Sequence, residues 1–185
     1  STCVYAVALA RFSQEMQEPE MMRSARSYYC QALLETNAAL WSPKEAVLDT
    51  TLVSILLLSL FETIIHEGGD SIDSWTTHIK GAITLLRLRG LQQLQSSLGR
   101  QLWIQASSNI RVSCFQSRVQ VPPDLLELDS QAAEFLDSNN PVLRVFPIVD
   151  AFATLRALLD GKKDEDPANF IDCARRIDQM AILLV

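Results

Sequence analysis

Four cysteines, Cys3, Cys30, Cys114 and Cys173, are scattered through 185 residues without one C-x-x-C pair. A disulfide framework or a cysteine zinc site needs closer, patterned spacing, so neither organises this chain. Each cysteine lies in an apolar or helical context, where a free thiol behaves as a small buried hydrophobe. A reducing intracellular compartment fits that usage. Positive charge is also short, with 16 Lys and Arg against 22 Asp and Glu and a net charge of −6. The chain as a whole is therefore not drawn to nucleic acid phosphates, and no DNA-binding residue is expected in it. The basic pairs Arg87/Arg89, Lys162/Lys163 and Arg175/Arg176 lie beside acids or near helix ends and read as solvated surface.

No apolar run reaches the roughly 18 uninterrupted residues that signal a membrane span. No signal peptide, lipidation motif or transit sequence is visible. Sustained period-two alternation, hairpin dipeptides and a β-α-β rhythm are all missing, as is a fixed-period repeat. What remains is an all-α fold. The chain also lacks a G-x-S-x-G elbow, a phosphate-binding glycine loop and H-E-x-x-H. Its acids sit mostly at helix starts, where capping explains them. No catalytic residue is assigned, and the chain is not expected to be an enzyme.

What is present centres on residues 43 to 90. The stretch Thr51-Leu52-Val53-Ser54-Ile55-Leu56-Leu57-Leu58-Ser59-Leu60-Phe61 has almost no polar face, and such a helix must be covered on all sides. Residues 47 to 65 are thus expected to be the most buried helix. Ser42-Pro43-Lys44-Glu45 is a start signal, with Ser42 as cap, Pro43 in the first turn and Glu45 completing a capping box. Gly68-Gly69 ends the helix, and Asp70 or Ser71 caps the next. That next helix buries Ile72, Trp75, Ile79, Ala82, Leu85 and Leu86 and turns Lys80, Arg87 and Arg89 outward. Gly90 stops it.

Around this centre, residues 1 to 17 form a small-residue helix, and Glu18-Pro19-Glu20 opens a second one carrying Met22, Ala25, Tyr29, Ala32, Leu33 and Leu40. A longer helix from Ser97 carries Leu98, Leu102, Trp103, Ala106, Ile110 and Cys114 and yields at Val121-Pro122-Pro123. Shorter helices follow around Leu125, Leu128, Ala132 and Phe135. Asn140-Pro141 opens another, with Pro147 inside it as a kink or restart. After a solvated loop at Gly161-Lys162-Lys163-Asp164-Glu165, Asp166-Pro167 starts the last. The sum is a single domain over residues 1–185, of about seven or eight helices packed around a buried central helix. The opening on Ser1 and the apolar close Ala181-Ile182-Leu183-Leu184-Val185 read as a piece of a longer chain.

Two constellations invite chemistry. Glu62 and His66 lie one turn apart, and His78 comes from the next helix. Zinc on these three is geometrically conceivable, but a fourth ligand and a recognisable spacing are missing, so no metal ligand is assigned. Trp75, His78 and Gly81 share a broad face. Trp75 reads as a core anchor, Gly81 as a point where another helix comes close, and His78 as hydrogen-bonding across that contact.

The segment Thr51 to Glu62 resembles the "L-x-x-x-x-L-L-x-x-Y-E" helix of a large family of fungal transcription factors. Trp75-Thr76-Thr77-His78-Ile79-Lys80-Gly81-Ala82, continuing through Leu85-Leu86 to Arg89-Gly90, resembles that family's "W-x-x-H-x-x-G-A-x-x-L-L-x-x-R-G" signature. Residues 25 to 40 are similar to its "A-x-x-Y-x-x-A-L" helix, and Arg111-Val112-Ser113-Cys114 through Val121-Pro122 to the segment that follows. The resemblance covers about residues 25 to 123. It implies the regulatory middle or C-terminal domain of a nuclear factor whose N-terminal six-cysteine binuclear zinc cluster, the DNA-binding element, is absent here. Zinc is expected only in that absent domain, and this chain is expected to hold no cofactor.

The signature residues Glu62, Trp75, His78, Gly81, Ala82, Arg89 and Gly90 are read as structural, with ligand-binding residues unknown. The implied function is control of transcription through dimerisation, co-regulator contact or sensing of a small apolar molecule. Homodimerisation or contact with the rest of the parent protein ranks first, because Met21-Met22, Tyr28-Tyr29, Phe146, Phe152 and the terminal apolar run need a partner surface. No direct nucleic acid contact and no membrane are expected. The competing readings are a helical protein-interaction scaffold unrelated to transcription and a small-molecule enzyme on a helical bundle.

Overall fold

The computed structural model describes residues 1–65, 72–160 and 167–182, with their side chains except those of 72–78, 167–170 and 181. The described elements are nine α-helices and two short 3-10 helices, with no strand among the described residues. The all-α class expected from the sequence is the one observed. Contacts divide the chain into two compact units, Ser1–Ser71 and Ile72–Val185.

In the first unit, α1 (Thr2–Met16) and α2 (Pro19–Trp41) are joined by a tight turn. Gln17 takes a left-handed conformation there, φ 54°, and its N–H donates to the Ser13 carbonyl. Pro19 then fixes the first turn of α2, where its missing N–H costs nothing. Ala6, Ala10, Ala25 and Ala32 are all fully buried. Small side chains at these positions let the two backbones approach closely and leave room for a third helix.

That third helix is α4 (Asp49–Ile65). Phe61 packs into the cluster of Ala6, Ala10 and Ala25, and Leu58 into that of Cys3 and Ala32. The start signal at Ser42 works, since its Oγ accepts the Glu45 N–H at 3.4 Å. It caps only a single turn, α3 (Pro43–Ala46), and the long helix begins three residues later. Burial also differs from expectation. Thr51, Leu52, Leu58 and Phe61 are buried, Val53 to Leu57 are half-buried, and Leu60 is exposed.

The second unit contains α5 (Ile72–Arg89), α6 (Ser97–Gln116), α7 (Pro123–Ala132), α8 (Pro141–Asp160) and α9 (Pro167–Ile182). Among the described residues, those of α6 include the most buried ones: Gly99, Leu102, Trp103, Ala106, Ser107, Ile110, Arg111 and Cys114. Leu98, expected on its buried stripe, is half exposed instead. Ser96 caps α6 by accepting the Gly99 N–H at 2.9 Å. Pro147 lies inside α8, which runs on through it to Asp160. The turn at Gly68-Gly69 and the loop at 161–166 lie outside the described residues.

Candidate functional site

The signature residues fall into three groups. In the first unit, Tyr29 stacks on Phe61 with ring centroids 4.4 Å apart. Its hydroxyl donates to Glu62 Oε1 at 2.6 Å. Two separate sequence blocks, the tyrosine of α2 and the glutamate that closes the apolar run of α4, are thus one contact. Tyr29→Phe removes a donor to a half-buried carboxylate, and is expected to cost about 1 kcal/mol. Urea unfolding at neutral pH measures it, and an unchanged midpoint would show the bond to be idle.

In the second unit, Gly90 has φ 63°, a left-handed conformation that ends α5 at low cost only for glycine. Arg89 does not point outward as expected. It is buried at 3% exposure and its Nε donates to Gln93 Oε1 at 2.7 Å. Gln93 in turn donates to the carbonyls of Leu86 and Gly90, so arginine and glutamine together close the helix end. Lys80 and Arg87 are exposed, as expected. Gly81 is a correction. It is exposed, and a Cβ there would meet nothing within 4 Å. Ala82 is half-buried. The side chains of Trp75 and His78, and His66 altogether, lie outside the described residues.

Gly99 is the glycine that a close approach requires. A Cβ on it would sit 1.8 Å from the Gln93 carbonyl oxygen.

The densest polar cluster among the described residues centres on Arg111, which the sequence marked only as part of a resemblance block. Arg111, buried within the apolar stripe of α6, reaches Asp150 of α8 and Asp129 of α7. Its Nε donates to Asp150 Oδ1 at 2.7 Å, Nη2 to Asp150 Oδ2 at 3.2 Å, and Nη1 to Asp129 Oδ2 at 2.8 Å. Asp129 Oδ1 also accepts from Trp103 Nε1 at 2.8 Å and Ser107 Oγ at 3.0 Å. The guanidinium lies 4.0 Å over the Phe146 ring. Phe146, expected to need a partner surface, is therefore covered from within.

One cation faces two carboxylates in this cluster. Burial pushes the Asp150 carboxyl above its usual range, and the Asp129 charge adds to that, while Arg111 pulls the other way. Burial likewise pushes the neighbouring Cys114 thiol up to about 12, with Arg111 lowering it and Asp150 raising it. Cys3 and Cys114 are buried, whereas Cys30 is exposed, contrary to expectation. Iodoacetamide at about pH 8 is expected to alkylate Cys30 quickly and to reach Cys114 only after unfolding. Peptide mapping checks this, and prompt labelling of Cys114 in the folded chain would contradict it.

Arg111 also lines a groove of about 400 Å³ on this cluster, with Val112, Val142, Val145, Phe146 and Val149. The surface is almost wholly apolar. Among the described residues no group of three or more His, Cys, Asp or Glu is arranged to hold a metal ion. No helix among them is long and apolar enough to cross a membrane.

The Arg111 cluster was missed because its partners are 18 and 39 residues away in sequence. One signal was there: a lone charge in register with Trp103, Ser107 and Cys114 on an apolar helix face.

Comparison with known proteins gives the family. An uncharacterized protein of Emericella nidulans, AN5342, is 35% identical over 81 residues, which make up 44% of this chain and 17% of that protein. The chain thus spans only a small part of that relative. No solved structure matches significantly. The pattern of the fungal specific transcription factor domain matches residues 2–117. That match covers more than half of the sequence, begins in α1 and ends just past α6, and takes in the Tyr29–Glu62 contact, the closed end of α5 and Arg111; the chain belongs to the fungal specific transcription factor domain family.

Proposed function

We propose that this chain is the control domain of a nuclear fungal transcription factor and acts by non-covalent contact rather than by catalysis. The observation that carries the reading is the family match over residues 2–117, which supports a role in regulating transcription. In this reading DNA contact and zinc belong to a cysteine cluster elsewhere in the parent protein. Contact between copies or with the rest of the parent ranks first, contact with co-regulators next. The apolar side chains left open on α1 and α2 favour contact: Tyr5, Phe12 and Met16, then Tyr28, Leu34 and Trp41, the last 89% exposed. Singly exposed apolar residues are ordinary, but aromatic ones on neighbouring helices are what interfaces favour. Tyr5 and Tyr28 stack on each other at 5.5 Å, holding part of this surface in shape.

The test is a fusion of residues 1–185 to an unrelated DNA-binding module beside a reporter in a fungal cell. Output that differs from the module alone, and returns towards it when Trp41 and Phe12 are changed to Ser, is the expected result. A reporter indifferent to the domain would reject the proposal, as would sequence-specific retardation of duplex DNA by the isolated chain at physiological salt.

A further inference from the structure

We propose that the groove between α6 and α8 binds a neutral, lipophilic molecule carrying a carbonyl oxygen. Its volume, about 400 Å³, falls within the range of small-molecule sites. Val112, Val142 and Val145 are each exposed by 39% or more although they line one concave surface. An apolar body seated there would take these side chains out of water.

The oxygen is required by Arg111. A guanidinium has five N–H donors, and three of them are spent on Asp129 and Asp150. The other two have no acceptor among the described residues, although Arg111 is only 3% exposed and lines the groove. A buried donor without an acceptor is costly, so a ligand oxygen at this spot adds to what burial of the ligand's apolar area contributes. Charge decides which oxygen. The cation is already outnumbered by two carboxylates, and a third anion at the same spot would be repelled. A ketone, ester or amide carbonyl supplies the acceptor without the charge. This deepens the regulatory reading above by giving the domain a class of effector.

The experiment uses the purified chain and Nile red, a neutral dye with a carbonyl, displaced by three probes of similar shape. These are phenylcyclohexanone, cyclohexylbenzene and ionised phenylcyclohexanecarboxylate. The ketone is expected to compete about tenfold better than either of the others. Val145→Trp and Val142→Trp, both at open positions that tolerate bulk, are expected to abolish displaceable dye binding while melting as the parent does. Equal competition by the hydrocarbon, stronger competition by the carboxylate, or dye binding undiminished in both variants would overturn the proposal. So would sedimentation showing that the variants split a dimer, because a second copy would then own the groove. The readout is binding by the isolated chain, so its failure leaves the reporter result standing, and the reverse.

Discussion

Arg111→Met is expected to destabilise the second unit by about 3 to 5 kcal/mol, because it leaves the half-buried Asp129 and Asp150 side by side with no cation between them. Asp129 keeps its bonds from Trp103 and Ser107; Asp150 loses both of its bonds from the guanidinium. The pH dependence follows from Asp150. Its folded-state pKa already lies above the ordinary value, so the folded chain takes up that proton before the unfolded chain does. Stability from this group is gained as pH falls through the raised pKa, and the gain is complete below the ordinary carboxylate range of about 4. Removing Arg111 removes the influences that hold the pKa down, so the window moves to higher pH. The loss in Arg111→Met is therefore expected to be largest near neutrality and to shrink on mild acidification. Pairing it with Asp150→Leu is expected to recover part of the loss at neutral pH. Urea unfolding across pH measures both effects, and a deficit that grows with acid would refute the account.

Gly99→Ala is expected to cost about 3 kcal/mol or more, the upper end for overpacking. The obstacle is main chain, the Gln93 carbonyl, 1.8 Å from the new Cβ, and no rotamer change can relieve it. Ser96, whose hydroxyl caps Gly99, lies 2.9 Å from the same Cβ, so yielding there also disturbs the start of α6. Gly81→Ala is the matched control with the opposite sign. An exposed alanine replacing glycine within α5 is expected to stabilise by up to about 1 kcal/mol. Thermal or urea melts of the two variants side by side decide the matter, and a Gly99→Ala protein that melts as the parent does would show that the 3-10 segment Leu91–Gln95 can move aside.

The helices were legible in the sequence because their causes are local. Pro19, Pro43, Pro123, Pro141 and Pro167 each open a helix, and fixed φ with no N–H to lose does this whatever surrounds them. Gly90 ends α5 for an equally local reason. Burial was legible only where spacing left one solution, as for Ile79, Leu85 and Leu86 on α5. The apolar run of α4 showed no preferred face, and its exposed Leu60 could not have been picked out. Gly81 and Gly99 look alike in sequence. Only the folded chain sets the Gln93 carbonyl against one and open space against the other.

The all-α class, the helix starts and the family blocks were therefore fixed by sequence alone, since each depends on residues within a turn or two. The tertiary structure decided what those blocks touch. It joined Tyr29 to Glu62 across 33 residues, turned Arg89 inward, and brought Asp129 and Asp150 to Arg111. A buried charge can be held by acids from any helix that packs beside it, and which helix does so is set by packing, not by spacing along the chain.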